Sequence, residues 1–357
     1  MIRIEPREKI SNSSTVLIPI IAAVVSLLFA AIPLLAAGAN PFVAYVEMAK
    51  GVFGSVFAIS EMLTRATPLI YTGLAAAIAF RAKLWNIGAE GQLYLGAIAA
   101  VTVGSGFFDL PGVLLLPLII VLGGCAGAVG MAAPTYLKVR FGADEVVTTL
   151  LLNFIIIIFL QMLLEGPLQD PMGLGWPQSA PILDQGMFPP LIDRMRIHSG
   201  LILAVLLAVI AHFIIKYSVW GFKLRAVGEN SAAAKHAGIN INRSLFGVAL
   251  LSGGLAGLAG VSEVAGLKGY LTADLSPGFG YAGIVVAMLA GLSPLGVLIA
   301  SVFIASVFVG ADSMSRAMGI SSFLADLVVS VSLLCVLVGG FISKFKIVRA
   351  GTGKRVK

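Results

Sequence analysis

The segment Lys216–Arg243, KYSVWGFKLRAVGENSAAAKHAGININR, is a 28-residue polar stretch set between two long apolar runs. Its centre is typical of a short helix: Glu229 or Asn230 can cap it, Ser231–His236 is rich in alanine, and Gly238 can end it. Basic loops stay in the cytoplasm during membrane insertion. The cations of this stretch therefore predict a cytoplasmic segment that a soluble partner could hold; they are Lys216, Lys223, Arg225, Lys235 and Arg243.

The composition predicts a membrane protein. The chain has 357 residues, of which 59% are hydrophobic and 11% charged, and a mean hydropathy of +1.01. A soluble domain carries about 25% charged residues. The net charge of +7 does not indicate nucleic-acid binding, because the cations cluster beside apolar runs and at both ends, as orientation signals do. The two cysteines, Cys125 and Cys335, lie in apolar runs, so we expect packing residues, with neither a disulfide nor a metal site.

Ten apolar runs are long enough, with their flanks, to suggest membrane spans, since a crossing helix needs about 20 residues. The first run is longer than the core of a signal peptide, about 7–15 residues, which favours an uncleaved helix. We therefore predict an all-α, polytopic membrane protein. The runs are 16–37, 66–80, 93–108, 112–133, 146–164, 200–215, 245–264, 281–292, 295–310 and 322–342.

The distribution of positive charge orients these spans. With ten crossings and both termini cytoplasmic, 18 of the 24 Lys and Arg residues lie inside. Residues 1–357 then form one transmembrane domain, with a cytoplasmic loop at 216–243 and a large external loop at 165–199. The external loop is rich in Pro and Gly. It could be a flexible cover or a receptor for an external partner.

Two stretches interrupt the apolar pattern, 81–92 after the second span and 266–280 after the seventh. On this topology they enter from opposite sides. Helices 2–5 and 7–10 would then be inverted copies, and interrupted segments at corresponding positions indicate a transport pathway. The small-residue pairs Gly123/Gly127 and Gly253/Gly257 have the spacing of closely packed membrane helices.

The two interrupted stretches supply the candidate pathway residues: Trp85, Asn86, Glu90 and Gln92 in the first, and Ser276, Pro277, Phe279 and Tyr281 in the second. Glu90 is either a functional carboxylate or part of a turn in which it pairs with Arg81 or Lys83. Trp85 could stack on a planar ligand or anchor the chain at the membrane border.

No motif for catalysis accompanies these features. The sequence has no phosphate-binding P-loop, no HExxH, no GxSxG and no dinucleotide fingerprint. We therefore do not expect an enzyme. If ATP drives this protein, another chain must bind it.

Three separated motifs carry a family resemblance: LWNIGAEGQ at 84–92, RAVGEN at 225–230 with the positions up to Ile239, and LSPGFGY at 275–281 followed by GIVVA at 283–287. In these motifs the chain resembles the membrane permease subunits of bacterial ATP-binding-cassette (ABC) importers for simple sugars and nucleosides, from the second span to the tenth. The WNIGAEGQ form is most similar to the nucleoside branch, whose members pair with a lipoprotein receptor.

The resemblance implies a coupling site for a cytoplasmic ABC ATPase at Gly228, Glu229, Asn230, Ala233, Lys235, His236, Gly238 and Ile239. It also implies a second, nonidentical permease, an external binding lipoprotein or periplasmic binding protein, and a multi-pass location in a bacterial cytoplasmic (inner) membrane. ATP and Mg would be bound by the ATPase, with no cofactor in this chain.

Three alternatives remain open at this point. A simple-sugar permease would share the architecture but not the substrate. An ion-coupled secondary transporter would need carboxylates that titrate or bind ions, such as Glu90, Glu263 or Asp326. A membrane scaffold without transport activity is disfavoured by the interrupted, Gly-rich segments.

Overall fold

The computed structural model describes residues 2–6, 12–106 and 111–349. The cations Arg7, Lys9, Lys354, Arg355 and Lys357, and the end of the predicted span 93–108, lie outside the described residues. The described helices are α1 (Asn12–Ala36), α2 (Pro41–Phe53), α3 (Val56–Arg81), α4 (Ala89–Gly104), α5 (Gly112–Phe141), α6 (Glu145–Leu164), α7 (Gly200–Tyr217), α8 (Val219–Glu229), α9 (Ser231–His236), α10 (Ile241–Glu263), α11 (Phe279–Leu289), α12 (Pro294–Met318) and α13 (Ser322–Lys344).

Within the described chain, seven helices are long and apolar enough to cross a membrane, or eight if the pair α1 and α2, bent by 118°, is one span. The predicted number of ten is not matched. Two of the predicted spans are short helices: α4 has 16 residues and α11 has 11. At 1.5 Å per residue they reach about 24 and 16 Å, less than the roughly 30 Å hydrocarbon core. Non-helical segments, 82–88 and 269–278, precede them.

One compact unit comprises Met1–Lys50 and Gly310–Lys357. In it, α1 packs along α13, and a small core forms around Ala30, Leu34 and Val328. Strand β1 (Ile2–Pro6) pairs antiparallel with strand β2 (Phe345–Arg349), with Ile2 opposite Arg349. The two ends of the described chain are therefore hydrogen-bonded to each other.

The second compact unit, Gly51–Val309, is built around α10, which packs against α3, α4 and α5. Glycine permits this close approach. A Cβ on Gly127 would lie 2.3 Å from the carbonyl oxygen of Gly253, and one on Gly257 would lie 2.4 Å from that of Gly123. The predicted small-residue packing is confirmed, and the two pairs face each other.

The loop 165–199, which the sequence predicts to be external and which we call the outer loop, lies along residues 265–272 of the same unit. Main-chain hydrogen bonds join Ser179 to Leu271 (2.9 Å), Ile182 to Gly269 (2.8 Å) and Phe188 to Ala265 (2.7 Å). The loop is therefore attached to the rest of the unit by its main chain rather than hanging free.

His198, at the end of the outer loop, is only 2% exposed and stacks on Phe188. Its Nδ1 atom has no hydrogen-bond partner among the described residues. Burial disfavours the charged imidazole and lowers the pKa of His198 to about 4. The loop therefore carries a neutral histidine in its packed interior.

Candidate functional site

Helices α4 and α11 meet at their first turns, although 190 residues separate them in sequence. The backbone N–H of Gly280 donates to the Glu90 carboxylate at 2.6 Å. A Cβ on Gly280 would lie 2.2 Å from the backbone nitrogen of Glu90, so only glycine fits there. Glu90 is 3% exposed. We call this contact the α4–α11 junction.

The non-helical segment before α11 is fixed by Tyr94, one turn further along α4. The Tyr94 hydroxyl donates to the Ala273 carbonyl at 2.8 Å and accepts from the Ser276 N–H at 3.3 Å. The Ser276 hydroxyl oxygen accepts from the Phe279 N–H at 2.9 Å, which satisfies a free donor at the start of α11. The Thr72 hydroxyl of α3 donates to the Phe279 carbonyl at 2.9 Å.

A second set of buried polar groups holds the segment before α4. Asn86 and Gln92 exchange two side-chain hydrogen bonds, at 2.8 and 3.0 Å. Asn86 also donates to the Ser252 hydroxyl (3.0 Å), which donates to the Ala75 carbonyl (2.8 Å). These side chains satisfy one another, which a buried amide requires. The network joins α3, α4 and α10.

Asn153 of α6 is a residue that the sequence reasoning missed. Its side-chain oxygen accepts from the Gly91 N–H at 2.9 Å, and its nitrogen donates to the Ile87 carbonyl (3.0 Å) and the Tyr281 hydroxyl (3.1 Å). It therefore bridges the starts of α4 and α11. An amide in the middle of an apolar, 20-residue helix was the available signal, because polar side chains at membrane depth are costly unless paired.

The predicted pathway residues divide into two groups. Asn86, Glu90, Gln92 and Phe279 are buried at the junction. Ser276 and Pro277 are partly or fully exposed, and Tyr281 is 39% exposed. The junction is thus a packed centre with an accessible side.

Trp85 lies apart from the junction contacts. It is 42% exposed and packs on Phe80, with 4.7 Å between ring centroids. Its backbone N–H donates to Glu145, which also pairs with Lys138. Both roles that the sequence left open for Trp85, stacking on a ligand and anchoring, stay predictions.

The pairing of Glu90 with Arg81 or Lys83 is not observed. Arg81 donates to the Leu292 carbonyl at 2.9 Å, and Lys83 lies 3.4 Å from the Glu229 carbonyl oxygen. Another buried carboxylate, Glu263, lies near the cations Arg65 and Lys268. Among the described residues, no cluster of His, Cys, Asp or Glu could hold a metal ion.

The polar stretch 216–243 folds into two short helices, α8 and α9. The Asn230 side-chain oxygen accepts from the Ala233 N–H at 3.0 Å, so Asn230 is the cap of α9. Gly238 has a φ of +82°, a conformation that favours glycine, and it ends the helix as predicted. Ala234 is buried, whereas Lys235 and His236 are exposed. We call residues 228–239 the coupling segment, after the role that the family resemblance implies for them.

The coupling segment contacts the chain that leads into the junction. A Cβ on Gly228 would lie 1.9 Å from the Arg81 carbonyl oxygen, which places the end of α8 directly against the end of α3. Seven residues separate Arg81 from the first residue of α4. The coupling segment is therefore connected to the buried junction by the packing of Gly228 on Arg81 and by the backbone of residues 82–88.

These features define a polytopic membrane protein whose buried junction is linked to an exposed helix. The chain belongs to the family described as "Branched-chain amino acid transport system / permease component", whose model matches residues 58–337.

Three relatives are similar over most of their length. The guanosine ABC transporter permease protein NupP of Bacillus subtilis is 35% identical over 92% of this chain and 94% of its own. The glucose ABC transporter permease protein TsgB13 of Haloferax volcanii is 33% identical over 97% and 93%. The nucleoside ABC transporter permease protein NupB of Lactococcus lactis is 33% identical over 86% of each. The guanosine ABC transporter permease protein NupQ of Bacillus subtilis and the nucleoside ABC transporter permease protein NupC of Lactococcus lactis are 27% and 26% identical, over 69% and 68% of this chain.

Proposed function

We propose that this chain is the transmembrane permease subunit of an ATP-driven importer of nucleosides. The observation that carries the proposal is the contact of the exposed, capped coupling segment with the end of α3, seven residues before the buried α4–α11 junction. A motor that displaces the coupling segment would act directly on the polar centre of the bundle. The similarity to NupP and NupB supports the nucleoside as cargo.

The membrane topology that fits this role has ten crossings. In it, each short helix completes a crossing together with the non-helical segment before it: α4 with 82–88, and α11 with 269–278. Irregular backbone at membrane depth is tolerated where it is buried in protein or lines a cavity. The pairing of β1 with β2 supports both termini on one side, which an even number of crossings requires.

An inverted repeat is supported by the equivalence of the two segments at the junction. In each case a long helix (α3 or α10) is followed by a non-helical segment and a short helix that begins at the junction. The second residue of α4, Glu90, contacts the second residue of α11, Gly280. Such broken helices meeting at a repeat interface are typical of transport sites.

The substrate path would run along the accessible side of the junction. Tyr281 presents an exposed ring suited to stacking on a nucleobase, and Asn153 fixes its hydroxyl. Ser276 and Pro277 lie beside it, on the non-helical segment before α11. The buried residues Asn86, Glu90 and Gln92 would position this segment rather than touch the cargo.

On the outer side, the attached loop 165–199 would receive the substrate-binding lipoprotein or periplasmic protein. The residues to which it is hydrogen-bonded, 265–272, continue directly into the non-helical segment before α11. Docking on the loop would therefore be transmitted to the junction from the side opposite the coupling segment.

The remaining parts of the importer are separate chains. A cytoplasmic ABC ATPase would bind ATP and Mg and hold the coupling segment, so this subunit itself is not an enzyme. A second, nonidentical permease is supported by the paired relatives NupP with NupQ and NupB with NupC. The assembly would lie in the cytoplasmic (inner) membrane of a bacterium.

Reconstitution with the neighbouring ATPase and second permease tests the proposal. Proteoliposomes should take up radiolabelled guanosine when ATP is supplied to the ATPase side. Replacement of Tyr281 by Ala should reduce uptake at least tenfold, whereas replacement of Tyr136, an exposed tyrosine of α5, should leave it unchanged. Uptake that survives ATP depletion but collapses with an ionophore would indicate ion-coupled secondary transport instead.

A sugar is the second candidate cargo, because TsgB13 carries glucose in its printed name and is 33% identical. Glucose uptake that exceeds guanosine uptake in the same proteoliposomes would select it. That result would leave the proposed coupling path intact and reject only the nucleoside.

A further inference from the structure

A basic cavity lies beside the coupling segment, at the ends of three membrane-crossing helices. Its volume is about 260 Å³. Helix α3 ends there at Arg81, α7 ends at Tyr217, and α12 begins at Pro294. The cavity therefore lies at the level where a bilayer passes from hydrocarbon to headgroups. Its lining residues are Arg81, His212, Ile215, Lys216, Arg225, Ser293 and Pro294.

Positive charge in this cavity is not balanced by its walls. No carboxylate is among the lining residues, and the guanidinium groups of Arg81 and Arg225 are close enough to repel each other. Their hydrogen bonds in the described chain go to backbone carbonyls, those of Leu292 and Ile215. A guanidinium has five N–H donors, so each group keeps donors for a ligand.

The start of α12 adds to the same field. Its first residue, Pro294, lines the cavity, and a helix N-terminus carries about half a positive charge. Pro294 has no N–H, and the Gly296 N–H already donates to the Ser293 hydroxyl oxygen at 3.4 Å, so this helix end acts on an anion through its dipole. Two guanidinium groups, an ammonium group and a helix N-terminus therefore surround one small space.

The surface around the cavity is apolar. Phe213 and Tyr217 of α7 are exposed and stacked on each other, and Val219 and Phe222 of α8 are exposed nearby in sequence. Helix α8 thus carries apolar side chains together with cations, as helices at membrane interfaces do. A ligand with an anionic head and apolar chains matches both the cavity and its surroundings.

We propose that this cavity binds the phosphate group of an anionic phospholipid. The phosphate accepts hydrogen bonds from Arg225 and Arg81 and faces Lys216, while the acyl chains lie along the exposed side chains of α7 and α8. Basic pockets between membrane helices are suited to such headgroups. The bound lipid neutralises the repulsion between Arg81 and Arg225, and so holds α8 against the end of α3.

Native mass spectrometry of the purified full-length chain tests this site. The protein is mixed with equal amounts of phosphatidylglycerol and phosphatidylcholine, and retained lipids are counted. We expect at least fivefold more phosphatidylglycerol on the wild-type chain. Lys216→Gln should reduce this preference at least threefold, and Arg225→Gln should reduce it further.

Lys223→Gln is the matched control, because Lys223 is an exposed cation of α8 that does not line the cavity. It should keep the wild-type preference. Lys216 is exposed and lies over the Tyr217 ring without holding a backbone group, so its replacement tests binding even if Arg225→Gln unfolds the end of α7.

Two results would overturn the proposal. Equal retention of the two lipids, or equal losses in Lys216→Gln and Lys223→Gln, would show that the cavity is not a specific lipid site. Inorganic phosphate that binds the wild-type chain and displaces the lipid at millimolar concentration would assign the cavity to a free anion instead. Neither result depends on what the protein transports.

Discussion

The α4–α11 junction and the coupling segment are both polar interruptions of an apolar chain, but they are built in opposite ways. At the junction each polar side chain has a partner: Asn86 with Gln92, Glu90 with Gly280, and Tyr94 with Ala273. In the coupling segment, α9 is six residues long, mostly exposed, and held by its cap and one buried alanine. The buried, paired groups of the junction should resist deformation, whereas the coupling segment presents an exposed surface to which a partner chain can bind.

This difference assigns a separate consequence to damage in each region. A change at the junction must disturb several paired groups at once, so stability and transport should fall together. A change in the coupling segment disturbs few contacts within the chain. Such a substitution should reduce ATP-driven transport while the fold is preserved.

The largest effect is expected from Gly280→Ala. The added Cβ would lie 2.2 Å from the backbone nitrogen of Glu90, and backbone cannot move aside as a flexible side chain can. We expect a loss of about 3 kcal/mol or more in folding free energy, and no guanosine uptake. Thermal unfolding of the purified protein measures the first and proteoliposome uptake the second.

Gly254→Ala is the control for this variant, since its Cβ would lie 3.4 Å from the nearest atom, the Gly124 carbonyl oxygen, at the limit of ordinary contact. It should unfold close to the wild-type temperature. Equal destabilisation by both replacements would mean that glycine at 280 has no special role, and the rigid junction would have to be abandoned.

The outer loop, like the junction, contains tightly packed side chains, and its buried His198 provides a pH test. Its pKa is about 4 in the folded protein and about 6.5 in an unfolded chain. Above pH 6.5 the imidazole is neutral in both states. As the pH falls from 6.5 through 4, the unfolded chain binds the proton first and stability is lost, by about 3 kcal/mol in total.

Thermal unfolding measured between pH 7.5 and 5 should therefore fall more steeply for the wild type than for His198→Gln. His236→Gln, which changes an exposed histidine of α9, should follow the wild type. Identical pH slopes in all three proteins would contradict a buried, neutral His198.

On the coupling side, Gly228→Ala should separate stability from transport. Its Cβ would lie 1.9 Å from the Arg81 carbonyl oxygen, but the residues that follow it, Glu229 and Asn230, are exposed, so the end of α8 can shift outward to relieve the contact. We expect a stability loss of about 1–2 kcal/mol, with at least a tenfold loss of ATP-driven uptake. The ATPase activity of the complex should persist without transport.

Gly247→Ala is the matched control on the neighbouring helix α10, where the nearest atom to the new Cβ is a side-chain nitrogen of Trp220 at 3.3 Å. It should retain uptake. If Gly228→Ala transported normally while its fold was intact, the contact between α8 and α3 could not be the coupling route.

The sequence was sufficient for the features that depend on local chemistry. The cap at Asn230 and the helix end at Gly238 follow from residue types that hold these positions in any helix, and both are confirmed. Close helix packing at the glycine pairs of α5 and α10 follows from their spacing and is confirmed, whereas only the structure shows that the two pairs face each other. The family was also indicated by motifs that the comparisons bear out.

The features that depend on distant contacts could not be read in this way. The predicted spans at 93–108 and 281–292 are about as long as the observed helices, but the structure begins α4 and α11 earlier, at Ala89 and Phe279. The contact between Glu90 and Gly280 in these added first turns has no signal in the local sequence. Likewise, the expected partners of Glu90 were nearby cations, whereas its observed partner is 190 residues away.

The smallest expected effect tests the coupling segment at its cap. Asn230→Ala removes the side-chain acceptor of the Ala233 N–H, which should cost about 1 kcal/mol within α9 and leave global unfolding unchanged. Hydrogen exchange of residues 231–237 should accelerate severalfold, with uptake reduced at most threefold. Asn240→Ala removes an equivalent bond, to Arg243 at 3.0 Å, from the start of the long, packed α10. Its exchange should change less, because the packing of α10 supports that turn. Equal acceleration at both caps would mean that the coupling segment is no more loosely held than the bundle, and the contrast with the junction would fail.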